Sequence, residues 1–171
     1  MKLEFPEKKH EKACLEMIQE FLDNGEEKLP WSSGLRDGMT YNDFLKKLQD
    51  NHEGKNLKPW YVRSDLYFLI DDQGKMVGIE SIRYELNDAL RFDAGNIGYS
   101  IRPSERKKWY ATIGLNLALQ KCKEAWLDKV LLTCRKNNIG SSKAMIKNGW
   151  IRDSEYEFEG DIKERYRITI K

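Results

Sequence analysis

The stretch from Ile97 to Thr112 reads IGYSIRPSERKKWYAT, and it decides the fold. Its first residues alternate between apolar and small or polar side chains, which predicts a β-strand over 95–102 that ends at Pro103. A helical repeat follows, because apolar residues from Ala111 to Ala125 recur at intervals of four and three. The apolar run from Val130 to Cys134 predicts a buried strand. This order predicts a crossover with at least one parallel pair of strands.

The residues around this crossover predict further helices and strands. Before it come a short strand, a helix with an apolar face from Cys14 to Leu22, a helix that a capping box at Thr40 begins, and a hairpin over 61–84. After it come a helix over about 139–148 and two alternating strands. The predicted fold class is therefore α+β, in three layers: a mixed central sheet of about seven strands with helices on both faces. Residues 1–171 are predicted to form a single domain.

Composition excludes several classes of protein. The chain has 171 residues, 30 Lys and Arg against 28 Asp and Glu, and a net charge of +2, which gives no argument for a nucleic-acid partner. No apolar stretch is long enough to span a membrane, and no secretory signal is visible. The three cysteines are scattered and the histidines are His10 and His52, so we predict no metal site. Unclustered cysteines favour a cytoplasmic protein.

A basic loop follows the strand at 95–102. Its cations are Arg102, Arg106, Lys107 and Lys108. The helix that begins after them offers unpaired N–H groups and the positive end of its dipole, which suit a phosphate or pyrophosphate. A loop between a strand and a helix is also the usual place for phosphates in α/β proteins. The alternative is a solvated basic turn.

A second polar turn follows the strand at 130–134. Asn138 and Ser141 stand at the start of the next helix. If the two strands are neighbours, this turn points at the same cleft as the basic loop. The alternative is that both residues are ordinary helix caps, since both residue types favour that position.

These segments resemble the GNAT superfamily of N-acetyltransferases over most of the chain, and most specifically over 95–150. The family pattern Gln/Arg-x-x-Gly-x-Gly/Ala stands here as Arg106 to Ala111. Its second pattern stands as Asn138, Ser141 and Gly149-Trp150. The stretch also looks like a subgroup of predicted small-molecule or protein N-acetyltransferases.

The resemblance implies acetyl-CoA as the donor and an amine of a small molecule or peptide as the acceptor. The pyrophosphate would meet the loop amides from Arg106 to Thr112, and the pantetheine arm would lie between the strands that end at Ile101 and Cys134. The residues implied in donor binding are Ile101, Arg102, Arg106, Lys107, Lys108, Trp109, Tyr110, Ala111, Thr112, Asn138 and Ser141.

Two positions depart from the family pattern. Trp109 stands where the family has a loop glycine, and a positive φ carries a penalty for a tryptophan, although the loop amides can still point inward if φ stays negative. The alternatives for its side chain are packing over the adenine of the donor or over the protein. Met145 stands where many members have a tyrosine that protonates the departing thiolate, and a methionine has no proton to donate.

The predicted chemistry is direct transfer, with a neutral amine attacking the thioester and a backbone N–H near Ile101 stabilising the oxyanion. Tyr99, Glu80 and Asn138 are the candidate catalytic residues. Alternation along the strands also allows Glu80 to face solvent, and Tyr99 to be a wall or core residue. Trp31 lies in the loop that borders the acceptor groove in the resembling family, with simple packing as the alternative. Trp60 and Tyr61 are predicted to be core residues.

Two other functions stay open. Trp109 and Met145 suit a catalytically weak or inactive domain that binds or senses acyl-CoA. A nucleic-acid binder would use the basic loop with Arg135 and Lys136, but acidic residues such as Glu105 interrupt any basic face. The terminal hairpin over 150–171 is a plausible pairing edge for a homodimer.

Overall fold

The computed structural model describes residues 1–26 and 29–170. The strands are β1 (Lys2–Glu4), β2 (Ser64–Ile70), β3 (Met76–Arg83), β4 (Ile97–Ile101), β5 (Lys129–Arg135), β6 (Ile151–Phe158) and β7 (Asp161–Thr169). The α-helices are α1 (Glu11–Asp23), α2 (Ser33–Arg36), α3 (Tyr41–Glu53), α4 (Asp88–Phe92), α5 (Tyr110–Glu124) and α6 (Ile139–Lys147). None of the helices in these two ranges is long and apolar enough to cross a membrane.

The seven strands form two sheets that meet at one point. The first has the order β1-β2-β3-β4 and the second β5-β7-β6, and every paired strand within them is antiparallel. Helices cover both faces of the first sheet, with α1 and α3 on one side and α5 on the other. The predicted fold class, a mixed α+β domain with about seven strands, is confirmed.

The predicted parallel pairing of β4 with β5 is wrong, because the backbones of the two strands meet only beside Asn96 and Leu131. The Asn96 N–H donates to the Leu131 carbonyl (2.7 Å), and the Asn96 side-chain oxygen accepts from the Leu131 N–H (2.9 Å). A side chain thus takes the place of the next backbone partner, and no ladder follows between these strands. Gly95 permits this close approach, since a Cβ there would lie 2.3 Å from the Leu131 carbonyl oxygen. Beyond Asn96 the two strands border a cleft.

The apolar patterns of the helices form the core as predicted. The face of α1 buries Cys14, Met17, Ile18 and Phe21 against α3 and the first sheet. Thr40 caps α3, and its side chain accepts from the Asp43 N–H (3.1 Å). On the opposite face, α5 buries Gly114, Leu115, Ala118 and Cys122.

Two local elements differ from the sequence predictions. β2 begins at Ser64 instead of residue 61, because the chain turns at 58–61, where the Tyr61 N–H donates to the Lys58 carbonyl (2.8 Å). The short helix α4 was not predicted. Asn87 caps it by accepting from the Leu90 N–H (2.9 Å), but five residues are too few to show a helical period.

Candidate active site

The loop between β4 and α5 presents backbone donors. Lys107 (φ 63°) and Trp109 (φ 69°) both adopt the left-handed conformation, and α5 begins immediately afterwards without a side-chain cap. The first intrahelical bond runs from the Ile113 N–H to the Trp109 carbonyl (3.1 Å), so the amides of Tyr110, Ala111 and Thr112 have no partner within the helix. Such an arrangement binds phosphate oxygens, so these residues fit the pyrophosphate of a nucleotide donor.

Trp109 corrects one expectation. Its φ is positive, not negative, so the loop backbone adopts the shape that a glycine would favour although the residue is a tryptophan. The side chain avoids the loop by turning outward: it is 60% exposed, and the Lys147 ammonium lies 3.4 Å from the centre of its ring. The cost of a left-handed tryptophan is on the order of 1 kcal/mol or more.

Three of the four loop cations are paired with carboxylates. Arg102 binds Glu20 of α1, Arg106 binds Glu26 through two hydrogen bonds (2.7 and 2.8 Å), and Lys108 binds Glu105 (3.0 Å). The Arg106 guanidinium lowers the pKa of Glu26. Lys107 has no carboxylate within 4 Å in the described part of the chain. The positive charge of the loop is therefore largely balanced, and its donors are chiefly amides.

The cleft between β4 and β5 is bridged by side chains. The Tyr99 hydroxyl donates to the Ser141 Oγ (2.7 Å), and burial raises the pKa of Tyr99. Cys134 is buried beside Ser141, and burial raises the pKa of its thiol to about 11. Arg106 also reaches this region, since its Nε donates to the carbonyl of Ile101 (3.2 Å). Tyr99 and Ser141 thus meet across the cleft, while the Ile101 side chain packs in the core beside Leu69 and Val77.

Asn138 lies at the start of α6 and caps it, with its side-chain oxygen accepting from the Ser141 N–H (3.1 Å). Its side chain is exposed. Met145 lies seven residues after Asn138 and is fully buried in the core around Trp150 and Tyr166. The position where many family members have a proton donor therefore faces the core here.

Glu80 faces neither solvent nor the cleft. It is fully buried beneath α5, and neither carboxylate oxygen has a hydrogen-bond partner among the described residues. Gly114 of α5 packs so closely that a Cβ there would lie 2.3 Å from the Glu80 Oε1. Burial raises the pKa of Glu80 well above its usual range, which favours the neutral acid.

A cavity of about 550 Å³ lies on the opposite face of the first sheet, beside β4. Gly98, Tyr99 and Ser100 of β4 contribute to its wall, together with side chains of α3, α4 and the loop before β2. Trp31, which lies in the loop that borders the acceptor groove in the resembling family, also lines this cavity. Trp60 (66% exposed) and Tyr61 were predicted to be core residues, and that prediction is wrong: both are exposed and line this cavity.

Sequence reasoning missed Arg83 and Lys47, which also line the cavity. No local motif marks either residue; only the pairing of β3 with β4 brings Arg83 beside Gly98. Within residues 1–26 and 29–170, no group of three or more His, Cys, Asp or Glu side chains is placed to hold a metal ion.

Comparisons with known proteins connect this geometry to a family. The family model described as the acetyltransferase (GNAT) domain matches residues 11–151. No curated protein matches the sequence.

Among solved structures, the ribosomal L7/L12 α-N-protein acetyltransferase RimL in complex with coenzyme A is 17% identical, with a TM-score of 0.70 over 98% of this chain and 93% of that one. The microcin C7 self-immunity acetyltransferase MccE, in complex with acetyl-CoA and AMP, is also 17% identical, with a TM-score of 0.70 over 98% and 91%. A variant of spermidine N-acetyltransferase SpeG from Vibrio cholerae is 17% identical, with a TM-score of 0.63 over 99% and 95%.

These three structures share the fold of the protein, while the family match spans most of its sequence. The chain therefore belongs to the GNAT family of N-acetyltransferases, enzymes that take their acetyl group from acetyl-CoA, as its sequence motifs predicted.

Proposed function

We propose that the protein transfers the acetyl group of acetyl-CoA directly to a primary amine bound in the cavity beside β4. The observation that supports this most strongly is the position of β4 itself. Its residues 98–100 form part of the cavity wall, and the amide-rich loop before α5 follows directly after its end. One strand of five residues thus connects a donor site to an acceptor site.

In this proposal the loop holds the donor mainly through its backbone. The amides from Lys107 to Thr112 would bind the pyrophosphate, while Arg102, Arg106 and Lys108 would contribute through their carboxylate-paired side chains. Ile101, Asn138 and Ser141 would border the pantetheine arm. Trp109, which is exposed beside the loop, would lie near the adenine end of the donor.

The acid–base roles follow from burial. A neutral amine attacks the thioester carbon, a β4 amide near Ile101 stabilises the oxyanion, and the departing thiolate needs a proton. We assign that proton to Tyr99, because its hydroxyl lies in the cleft, where it donates to the Ser141 Oγ (2.7 Å). Glu80, which is neutral and sealed under α5, has no route to the amine. The amine proton would therefore leave to water, and water would return a proton to Tyr99 before the next turnover.

An acyl-enzyme is disfavoured by the same geometry. Cys134 is buried, and its thiol pKa of about 11 leaves little thiolate at neutral pH. His10 contacts Glu4 (3.1 Å) and His52 contacts Asp65 (2.7 Å), so neither histidine activates a nucleophile in the cleft. Mass spectrometry after incubation with acetyl-CoA alone tests this. We expect no stoichiometric acetyl adduct, and an adduct on Cys134 that an amine removes would contradict direct transfer.

The alternative function is a domain that binds acyl-CoA without turnover. The burial of Met145 and Glu80 favours it, because neither of these positions supplies a catalytic proton donor or base. Release of coenzyme A over a panel of small amines and N-terminal peptides separates the two functions. We expect amine-dependent release; donor binding without release for any amine would favour the alternative.

We also propose that the protein is cytoplasmic and that two copies of it can pair through the second sheet. The three cysteines, Cys14, Cys122 and Cys134, are free and buried, which suits a reducing compartment. The strand order β5-β7-β6 places β6 at an edge, where a second copy has backbone groups to pair with. The balanced charge of the basic loop argues against nucleic acid as a partner. Sedimentation of the protein over a range of concentrations tests the pairing.

A further inference from the structure

Arg83 is a cation at the floor of the cavity. It is the last residue of β3, and its Nη1 donates to the Gly95 carbonyl (3.0 Å). The guanidinium lies over Gly98 of β4: a Cβ on that glycine would be 3.8 Å from both Nη atoms. An arginine side chain has five N–H donors, and this single bond within the described residues leaves most of them for another partner.

Among the residues that the structure describes, none forms an ion pair with the guanidinium of Arg83. Burial lowers the pKa of Arg83, but a guanidinium stays charged in any protein. In the two described ranges no carboxylate lies within 4 Å of it. The acid that influences it, Asp93, is already bound by the Lys163 ammonium (2.8 Å) and the Tyr156 hydroxyl (2.5 Å). Charges that lose much of their water in proteins are normally paired, so this half-buried guanidinium calls for an anionic ligand.

The rest of the lining has the same polarity. Lys47 adds a second cation. The acid in the lining, Asp65, is occupied: its carboxylate accepts from His52 (2.7 Å), Tyr67 (2.8 Å) and Tyr84 (2.6 Å). The lining therefore carries two cations and one carboxylate, and the oxygens of that carboxylate already accept hydrogen bonds from other residues.

The remaining surface and the volume limit the kind of ligand. Trp31, Phe44, Trp60 and Tyr61 supply aromatic surface for an apolar or planar body. A volume of about 550 Å³ lies within the usual range for small-molecule sites, which runs from about 300 to 1,000 Å³.

We infer that the acceptor is a small amine that also carries a carboxylate or phosphate group, and that Arg83 binds this oxyanion and so selects the acceptor. The inference rests on the proposed function, and it names the chemical class of its acceptor. The planar fork of the guanidinium matches two oxygens of a carboxylate or a phosphate. Arg83 is thus a specificity residue that orients the amine toward β4 from the far end of the acceptor.

Three matched pairs of amines test this: tyrosine with tyrosinamide, 4-aminobutanoate with 4-aminobutanamide, and 3-aminopropyl phosphate with 3-aminopropanol. Release of coenzyme A gives kcat/KM for each amine. Spermidine, a polycation without an anionic group, is measured for comparison. We expect the wild-type protein to prefer the anionic member of at least one pair by about 10- to 100-fold, the range of a charge-assisted bond. The preferred pair tells a carboxylate from a phosphate.

The variants locate the effect. Arg83→Gln is expected to abolish the preference, and Arg83→Lys to retain part of it through charge alone. Arg91→Gln, which removes an exposed cation of α4 outside the lining, is expected to leave the preference unchanged. The ratio within a pair is measured on one protein, so a partial loss of folded protein cancels.

Equal rates for both members of all three pairs would overturn the inference, and so would a preference that survives Arg83→Gln. If no amine is acetylated, the proposed function fails separately, and binding then decides the role of Arg83. Thermal stabilisation by an anionic member in the wild type and not in Arg83→Gln supports it. The absence of that stabilisation overturns it.

Discussion

The two faces of the first sheet differ in how an ionisable side chain is accommodated: Glu80 lies on one face and Arg83 on the other. Under α5, Glu80 is fully buried against Gly114 and has no hydrogen-bond partner within residues 1–26 and 29–170, and burial raises its pKa so that the neutral acid is favoured. On the other face, Arg83 also loses water but keeps its charge beside an open cavity. An acid can escape the cost of burial by holding its proton, whereas an arginine cannot, and must find an anion.

This contrast suggests different uses for the two faces. The closed face fixes α5, and with it the amides that end at Thr112, against the sheet. The open face holds a charge whose partner has to come from outside. Tyr99 stands between them: it pairs in register with Glu80, yet its hydroxyl reaches across the cleft to Ser141.

The largest effect on stability is expected from adding a side chain at Gly114, where α5 packs closely against Glu80. Gly114→Ala places a methyl group 2.3 Å from the Glu80 Oε1 and 3.1 Å from Leu69, so the free energy of unfolding should fall by about 3 kcal/mol. Urea unfolding measures this. Gly140→Ala on α6 is the control, because its Cβ would have its nearest contact at 3.7 Å. Equal stabilities for the two variants would contradict the close packing of α5.

Removing the Tyr99 hydroxyl should affect catalysis without affecting the fold. We expect Tyr99→Phe to lower kcat by about 100-fold, the usual range for a lost general acid, while the dissociation constant of acetyl-CoA changes little. The deficit should shrink with a thioester donor whose thiol is more acidic. Tyr41→Phe is the matched control, since that hydroxyl donates to the Glu7 carbonyl (3.2 Å) in the core beside α3. An unchanged kcat would remove Tyr99 from the mechanism.

Glu80→Gln should reveal the closed face through pH. Because the folded state raises the pKa of Glu80, it holds a proton that the unfolded state releases above about pH 4.3, so wild-type stability falls as pH rises past that value. The glutamine variant lacks this loss. Its stability relative to wild type should therefore grow with pH, by at most about 1.4 kcal/mol per pH unit. A difference that does not vary with pH would mean that Glu80 is ionised when buried.

The smallest effect is expected at Trp109. A glycine adopts the positive φ without strain, so Trp109→Gly should raise stability by up to about 1 kcal/mol, less whatever its contact with Lys147 contributes. Lys147→Gln measures that contact alone. Affinity for coenzyme A, measured by calorimetry, should hold or improve. A marked loss of affinity in Trp109→Gly would instead identify the indole as a contact of the donor.

The sequence predicted the donor side of the molecule better than the acceptor side. The alternation before Pro103, the period of α5 and the cap at Asn138 are all local patterns, so the loop and the two helix starts could be placed without a structure. The φ of Trp109 could not, because a side chain type only weights the choice of backbone conformation.

The acceptor side depends on contacts between distant segments. Arg83 comes from β3, Lys47 from α3 and Trp60 from a loop, and no spacing in the sequence relates them. The alternation of side chains along β3 did not decide which face of the sheet Glu80 occupies, because a strand pattern alone does not say which face a helix covers. In the structure Glu80 lies on the face that α5 covers, in close contact with Gly114.

Asn96 has a consequence for how the molecule moves. Besides its two bonds to Leu131, its backbone carbonyl accepts from the Arg83 N–H (2.7 Å), and its side-chain amide donates to the Arg83 carbonyl (3.0 Å). Asn96 therefore links the first sheet to the second at one end of the cleft, next to further contacts from Asp93 and Ala94. We expect any widening of the cleft to be smallest beside Asn96 and larger toward Ser141. Asn96 also holds the backbone of Arg83, so we expect Arg83 to move little when the cleft widens, whereas the hydrogen bond from Tyr99 to Ser141 has to break.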